Sequence, residues 1–301
     1  MMHTLVMTGA TSGIGRVAAA ELLRRDPRLR LVVLARGGSG AAPPLPGTIP
    51  VDVDLASLAS VRAAVEAVRR MLDSGELPPL TGFAGNAGVS LGDARHATPD
   101  GYETTFAVNV LANHLLIAGL APSLRAPARV LITVSDTHFG DFRHGGGAMP
   151  PPRWSPPEVL ARPGAFPDPD SVKAGRTAYT TSKLAAIHLV HEWSRRLPDD
   201  IAVVSYNPGL VPRTGLSRDA GAAGRFAMRW LALPLALTPL ADSPAAAGRK
   251  LADAIAGRVD APSGAYIDRT KVARSSDESY DPDRERSLWD HLEHIRATTD
   301  A

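Results

Sequence analysis

The segment AYTTSKLAA, Ala178 to Ala186, places a tyrosine and a lysine at i and i+4 among small and apolar neighbours. On a helix this spacing puts Tyr179 and Lys183 on one face, one turn apart. A free phenol has a pKa near ~10 and is a poor base at neutral pH. An ammonium one turn away favours the phenolate, and a second positive charge in a poorly hydrated site would favour it further. Moving the pKa by about 3 units corresponds to on the order of 4 kcal/mol, within reach of two such charges. A tyrosine tuned in this way can give a proton to a carbonyl oxygen or take one from an alcohol. In isolation the same pair is an ordinary surface contact, so its meaning depends on what the rest of the chain sets beside it.

The elements that must do the positioning follow from apolar periodicity, which switches between strand and helix along the chain. Residues 4–9, 30–35 and 48–53 read as strands, as do LTGFAGNAG, ARVLITVS, DIAVVSYNPG and GAYID. Residues 14–25, 57–72 and 244–256 read as helices, with YETTFAVNVLANHLLIAGLAPSL and the Tyr179 segment running to about Leu197. Strands apolar throughout, alternating with helices, imply a parallel sheet covered on both faces. The expectation is a Rossmann-type doubly wound α/β fold, a single domain over 1–301, with its ligand beyond the carboxyl ends of the strands. Two long segments break the rhythm, an insertion at 137–176 and a flap at 210–241, and both are expected to lie over a substrate pocket. The tail, 270–301, contains DRERSLWDHLEHIR and reads as a short amphipathic helix docking on the domain or on a partner subunit.

Gly9, Gly13 and Gly15 in TGATSGIG fall between the first strand and the first helix. Glycines there allow a tight turn and let backbone amides approach a phosphate at a helix N-terminus. The spacing departs from G-x-G-x-x-G, and a glycine turn alone is also compatible with simple strand–helix punctuation. Arg36 ends the second strand about 20 residues further on, where a dinucleotide site places the adenine ribose. A guanidinium there suits a 2′-phosphate better than a free 2′-hydroxyl, which favours NADP(H) over NAD(H).

Together these residues resemble the short-chain dehydrogenase/reductase family, over about residues 4–267. TGATSGIG matches its T-G-x-x-x-G-x-G turn, DVDLAS its Asp-Leu pair (Asp54, Leu55), and GNAG its Asn-Ala-Gly (Asn86, Ala87, Gly88). FAVNVLANHLL carries Asn109, RVLITVS ends at Ser135, AYTTSK supplies Tyr-x-x-x-Lys, and NPGLVPRTGL holds Pro208, Gly209 and Thr214. The resemblance implies a catalytic set of Asn109, Ser135, Tyr179 and Lys183. It implies a cofactor set of Gly9, Thr11, Ser12, Gly13, Ile14, Gly15, Arg36, Asp54, Leu55, Asn86, Ala87, Gly88, Tyr179, Lys183, Pro208, Gly209 and Thr214. Lys183 would hold ribose hydroxyls, Ser135 would donate to the substrate oxygen, and Asn109 would hold a water linking Lys183 to solvent. The long insertion before Tyr179 resembles the retinol-dehydrogenase-like and protochlorophyllide-reductase-like branch. The light-dependent members of that branch use a cysteine as proton donor; this chain has none, which excludes that activity.

Absence of cysteine also excludes disulfides, thiolate catalysis and Cys-based metal sites. No carboxylate–histidine spacing reads as a metal site, and His138, His144, His188 and His191 read as lid or surface residues. Asp136, beside Ser135, either tunes the site or caps the next turn, with capping the simpler role. Lys+Arg 33 against Asp+Glu 31 leaves +2, with no like-charge block to suggest nucleic-acid binding. The start has no signal-peptide pattern, and WLALPLALTPLA is too short and proline-broken to span a bilayer. The expectation is a cytoplasmic NADP(H)-dependent oxidoreductase, a homo-oligomer (dimer or tetramer), acting on a ketone or secondary alcohol of an apolar or bulky small molecule. Rival readings are a carbon–carbon double-bond reductase, a dehydratase or epimerase on the same scaffold, and a non-catalytic NADP(H)-sensing protein.

Overall fold

The computed structural model describes residues 1–37, 45–145, 147, 149–211 and 242–299. Thr214 and nearly all of the 210–241 flap lie outside the described residues.

Eight strands form one sheet in the order β3-β2-β1-β4-β5-β6-β7-β8. They are β1 (His3–Thr8), β2 (Leu29–Ala35), β3 (Thr48–Asp52), β4 (Leu80–Gly85), β5 (Leu124–Thr133), β6 (Ile201–Asn207), β7 (Tyr266–Asp268) and β8 (Lys271–Ala273). All neighbours are parallel except β7 and β8. Pro50, which cannot donate to a ladder, sits on the edge strand β3, where its loss costs least. The antiparallel β8 was not legible, because KVA is exposed throughout and has no apolar pattern.

Alternation along each strand divides the core in two. Val6, Val32, Leu34, Val130, Ile132 and Val203 face one layer of helices. These are α2 (Leu58–Asp73), α3 (Thr104–Phe106), α4 (Ala112–Leu120), α7 (Val172–Arg196) and α9 (Pro282–Thr299). Leu5, Met7, Leu31, Val33, Leu131 and Val204 face the other layer, α1 (Gly13–Arg25) and α8 (Pro244–Ile255). Short helices α5 (Phe142–Gly145) and α6 (Pro157–Leu160) lie in the insertion. The doubly wound α/β sheet of the sequence reading is therefore the observed architecture.

The long apolar helix is broken where the sequence reads it as continuous. Residues Ala107–Leu111 form a π-turn between α3 and α4, with the Ala112 amide reaching back to the Ala107 carbonyl. Among the described residues, Thr104–Ser123 is the one helical stretch long and apolar enough to cross a membrane, and 78% of an 18-residue window within it is buried inside the fold. It owes its apolarity to packing between the sheet and other helices.

The insertion is anchored from Arg153 onward. The Arg153 amide donates to Thr181 Oγ1 at 2.9 Å, Ala94 N to Pro169 O at 2.8 Å and Glu103 N to Ala161 O at 2.8 Å. Leu160 and Phe166 join the core cluster. The tail docks on its own chain: Leu288, Leu292 and Ile295, an i, i+4, i+7 stripe, are buried beside Trp193 of α7. His114 of α4 bonds Glu293 of α9 at 2.9 Å, and the Arg196 guanidinium lies 3.8 Å above the Trp289 ring. Leu292→Ala, at a fully buried site, should lower stability by about 2–5 kcal/mol, read as a drop in the thermal midpoint. An unchanged midpoint would mean that α9 does not hold the fold.

Candidate active site

The carboxyl ends of β1, β4, β5 and β6 meet at the point where the strand order reverses, and the sequence-derived residues gather there. Gly9 follows β1 and Gly13 opens α1, both at positive φ (67° and 54°). A Cβ at Gly15 would collide with the Gly9 carbonyl and with Asn86 Nδ2, so this turn admits no larger residue. Asn86 Nδ2 donates to Gly9 O at 3.1 Å, while Thr133 Oγ1 donates to Asn86 Oδ1 at 3.1 Å. Ala87 N donates to Thr8 Oγ1 at 3.0 Å. The Asn86 side chain thus ties three strand ends together and shapes the cradle.

Helices α2, α7 and α8 each begin with a serine whose hydroxyl accepts from the first turn (Ser57, Ser171 and Ser243). Ser12 does not cap α1 in this way, and the first turn of α1 holds no acidic residue. Gly13 has open space where a Cβ would project. Uncapped amides, an open glycine and a positive helix end fit the diphosphate of a dinucleotide. Further along the same edge, Arg36 is exposed at the end of β2, and the Gly37 amide donates to Asp52 at 2.6 Å. Asp54 is exposed beside partly buried Leu55, with its carboxylate accepting from Ala56 N at 3.0 Å. Thr11 and Ile14 complete the turn; Pro208 and Gly209 follow β6, where the Gly209 amide donates to Asn207 Oδ1 at 3.1 Å.

Tyr179 and Lys183 are 8% and 4% exposed on α7, and the Lys183 Nζ lies 5.5 Å from the centre of the Tyr179 ring. Lys183 donates to the Thr133 carbonyl at 2.9 Å, which fixes it under the end of β5. Ser135 stands close enough to the Tyr179 hydroxyl to favour its ionised form. Ser135 lies two residues past β5 and caps the turn Asp136–Phe139, its Oγ accepting from the Thr137 amide at 3.3 Å. Asn109 stands in the π-turn, a distortion that often marks functional positions. Its side chain accepts from Val89 N at 2.9 Å and donates to Val89 O at 3.0 Å and Ser182 Oγ at 2.9 Å. It thereby pins α7 to the loop after β4. A side chain at Gly88 would press on both Asn109 Oδ1 and Lys183 Nζ.

Three expectations change. Burial pushes the Tyr179 phenol above its ordinary value; Ser135 pulls it down and Asp136 pushes it up. Burial likewise lowers Lys183 to about 8. Asp136 is not the cap: Ser135 holds that place, and the Asp136 carboxylate turns into the site, 3.4 Å from Ser135 Oγ. Lastly, His138, His188 and His191 are buried rather than on a lid or surface. His138 donates from Nδ1 to the Ser135 carbonyl at 2.6 Å and accepts at Nε2 from the Ser276 amide at 3.1 Å. Burial lowers it to about 4, so at neutral pH it is an uncharged strut holding the Ser135 backbone. Its sole sequence signal was proximity to Ser135, since the partner at Ser276 is remote along the chain. His191 pairs with Glu285 at 2.7 Å, and His188 bonds the Glu278 carbonyl at 3.1 Å.

A doubly wound sheet with an uncapped glycine turn at β1 and a Ser–Tyr–Lys group at β5 defines a Rossmann-class oxidoreductase site. The family model for short chain dehydrogenases matches residues 3–143. Over 233 residues, 74% of this chain and 71% of the relative, the chain is 35% identical to "Putative daunorubicin C-13 ketoreductase DnrU" of Streptomyces sp. (strain C5). It is 30% identical over 318 residues to chloroplastic protochlorophyllide reductase A of Hordeum vulgare, covering 97% of this chain and 79% of that one. Among solved structures, angucycline C-6 ketoreductase LanV with bound NADP has a TM-score of 0.58. That match spans 89% of this chain and 93% of that chain at 20% identity, a likeness of fold. The chain belongs to the short-chain dehydrogenase/reductase family of oxidoreductases, in its retinol-dehydrogenase-like and protochlorophyllide-reductase-like branch. Members of this family bind a nicotinamide cofactor.

Proposed function

We propose that the chain is an NADP(H)-dependent carbonyl reductase that interconverts a ketone and a secondary alcohol on an apolar or bulky small molecule. The observation that carries this reading is the buried Tyr179 phenol beside Ser135, with Lys183 one turn away. When bound, the nicotinamide supplies or accepts the hydride. Ser135 donates to the substrate oxygen, where negative charge grows, and Tyr179 delivers the proton. Lys183 holds the ribose hydroxyls, and Asn109 keeps α7 in register, with the resemblance implying a water between its turn and Lys183. Arg36 supports NADP(H), as does the likeness to an NADP-bound ketoreductase. Gly9, Thr11, Ser12, Gly13, Ile14 and Gly15 would hold the diphosphate, Asp54 and Leu55 the adenine, and Asn86, Ala87, Gly88, Pro208, Gly209 and Thr214 the remainder.

The insertion and flap would enclose the substrate, the insertion doing so with the part between His138 and Arg153. A homo-oligomer would have to assemble through a face other than the one α9 covers. The test is NADPH oxidation across a panel of bulky ketones, aldehydes and enones. Turnover of the ketones is expected. Turnover of enones alone would replace the reading with a double-bond reductase, and tight NADPH binding with no turnover would replace it with a sensor.

A further inference from the structure

The chain beyond β8 reaches back to the site. Ser275, Ser276 and Ser279 are buried there and hold one another in place. Ser275 Oγ and Ser279 Oγ are 2.6 Å apart, and the Ser279 hydroxyl and amide donate to the Ser276 carbonyl at 2.6 and 2.9 Å. On one side this segment meets the Ser135 turn. The Ser276 amide donates to His138 Nε2 at 3.1 Å, and His138 Nδ1 meets the Ser135 carbonyl at 2.6 Å. An amide N–H can only donate and a carbonyl can only accept, so these two partners fix one tautomer, with the proton on Nδ1. The ring is 1% exposed and packs against Phe139 and Tyr266, with centroids 4.3 and 5.3 Å away. On its other side the segment meets α7. His188 Nε2 donates to the Glu278 carbonyl at 3.1 Å, and the Tyr280 ring stacks on His191 at 5.1 Å. Ser135 and Tyr179 stand on different elements, and both elements rest on this one segment.

We propose that residues 275–280 brace the Ser135–Tyr179 pair, with His138 as the positioning residue: the Ser276 amide fixes the His138 tautomer, and the Nδ1 proton then sets where Ser135 stands opposite α7. This rests on the reading of Ser135 and Tyr179 as the reacting pair. It goes beyond that reading by giving the support of the pair to a segment past the last family motif. The physical need is a fixed gap between two elements. Ser135 Oγ has to meet the same substrate oxygen that Tyr179 reaches, and a misplacement of about 1 Å between such groups can lower a rate by about 100-fold. Backbone bonds inside the Ser135 turn, such as His138 N to Ser135 O at 3.3 Å, close that turn on itself. The bonds at Ser276 and Glu278 reach across to α7.

The test is a double-mutant cycle with two readouts: kcat on the best ketone, and hydrogen exchange of the Thr137 amide, which donates to Ser135 Oγ at 3.3 Å. Ser276 has a φ of −60°, which proline adopts, so Ser276→Pro removes the amide proton without straining that residue. Its ring carbon takes the proton's place against Nε2. In the wild type this change should lower kcat by about 10–100-fold and speed Thr137 exchange, with the Kd for NADPH unmoved. His138→Asn puts an amide nitrogen in the place of Nδ1, has no tautomer to choose and no atom at Nε2. It should retain more kcat than His138→Ala, and adding Ser276→Pro to it should cost less than about 3-fold. Equal losses from Ser276→Pro in both backgrounds would overturn the brace. So would Thr137 exchange that ignores Ser276→Pro, or an unmoved kcat in an active enzyme. If the protein reduces no ketone while Thr137 exchange follows the cycle, the brace stands and the carbonyl-reductase reading falls. Should Ser276→Pro not fold, His138→Gln keeps an acceptor for Ser276 and loses the donor to Ser135. By both readouts Asn should then lie nearer the wild type than Gln, and the reverse order would overturn the proposal.

Discussion

Replacing Tyr179 by phenylalanine should reduce turnover on the order of 10²–10⁴-fold, the usual contribution of a positioned proton donor. NADPH binding should stay nearly intact. The ring is 8% exposed on α7, and phenylalanine reproduces its shape, so packing survives. What disappears is the hydroxyl that meets Ser135. Ser135 keeps its position because its backbone is held by His138 and its turn by Thr137, neither of which involves Tyr179. Lys183 likewise keeps its bond to the Thr133 carbonyl. Activity should therefore fall without loss of fold or cofactor site, measured as kcat beside an NADPH titration by fluorescence. Unchanged kcat would remove Tyr179 from the chemistry and with it the proposed reaction.

Arg36→Ala should raise the KM for NADPH by about 10–100-fold, the loss of a charge-assisted contact worth about 1.5–3 kcal/mol, while leaving the KM for NADH nearly unmoved. The guanidinium stands exposed at the end of β2, free of the packing that would make its removal costly to the fold. Asp52, a carboxylate at this edge, already accepts from the Gly37 amide at 2.6 Å. It is thus held by the backbone rather than offered to a ribose hydroxyl. The two KM values, measured on one substrate, decide the matter. An equal rise for both cofactors would place the 2′-phosphate elsewhere.

Much of this architecture was legible along the chain. Val6 and its neighbours Leu5 and Met7 are all apolar because opposite faces of β1 each meet a helical layer. That pattern requires a sheet covered on both sides before any coordinate is known. The Tyr179–Lys183 spacing, the glycine turn and the strand-end positions are local features of the same kind, and the geometry places them together as expected. The π-turn holding Asn109 was not legible, since AVNVL has an unremarkable helical pattern and the extra residue per turn arises from packing. Nor was β8, whose residues are exposed and carry no period.

What the order of residues determined by itself is the set of short-range facts: which segments are strands, which helices, which side chains share a face, and that no thiol takes part. Periodicity and spacing are properties of a few consecutive residues, and elementary geometry converts them directly. Tertiary structure alone decided how charged groups sense one another. Tyr179 is pushed up by desolvation, a property of everything packed around it. His138 becomes a buried strut because Ser276, far along the chain, is folded against its ring. Asp136 leaves the capping role and its carboxylate meets Ser135 Oγ because Ser135 occupies the cap first. Protonation and hydrogen bonding depend on neighbours in space, and those neighbours come from strands and helices that only the completed sheet brings to one edge.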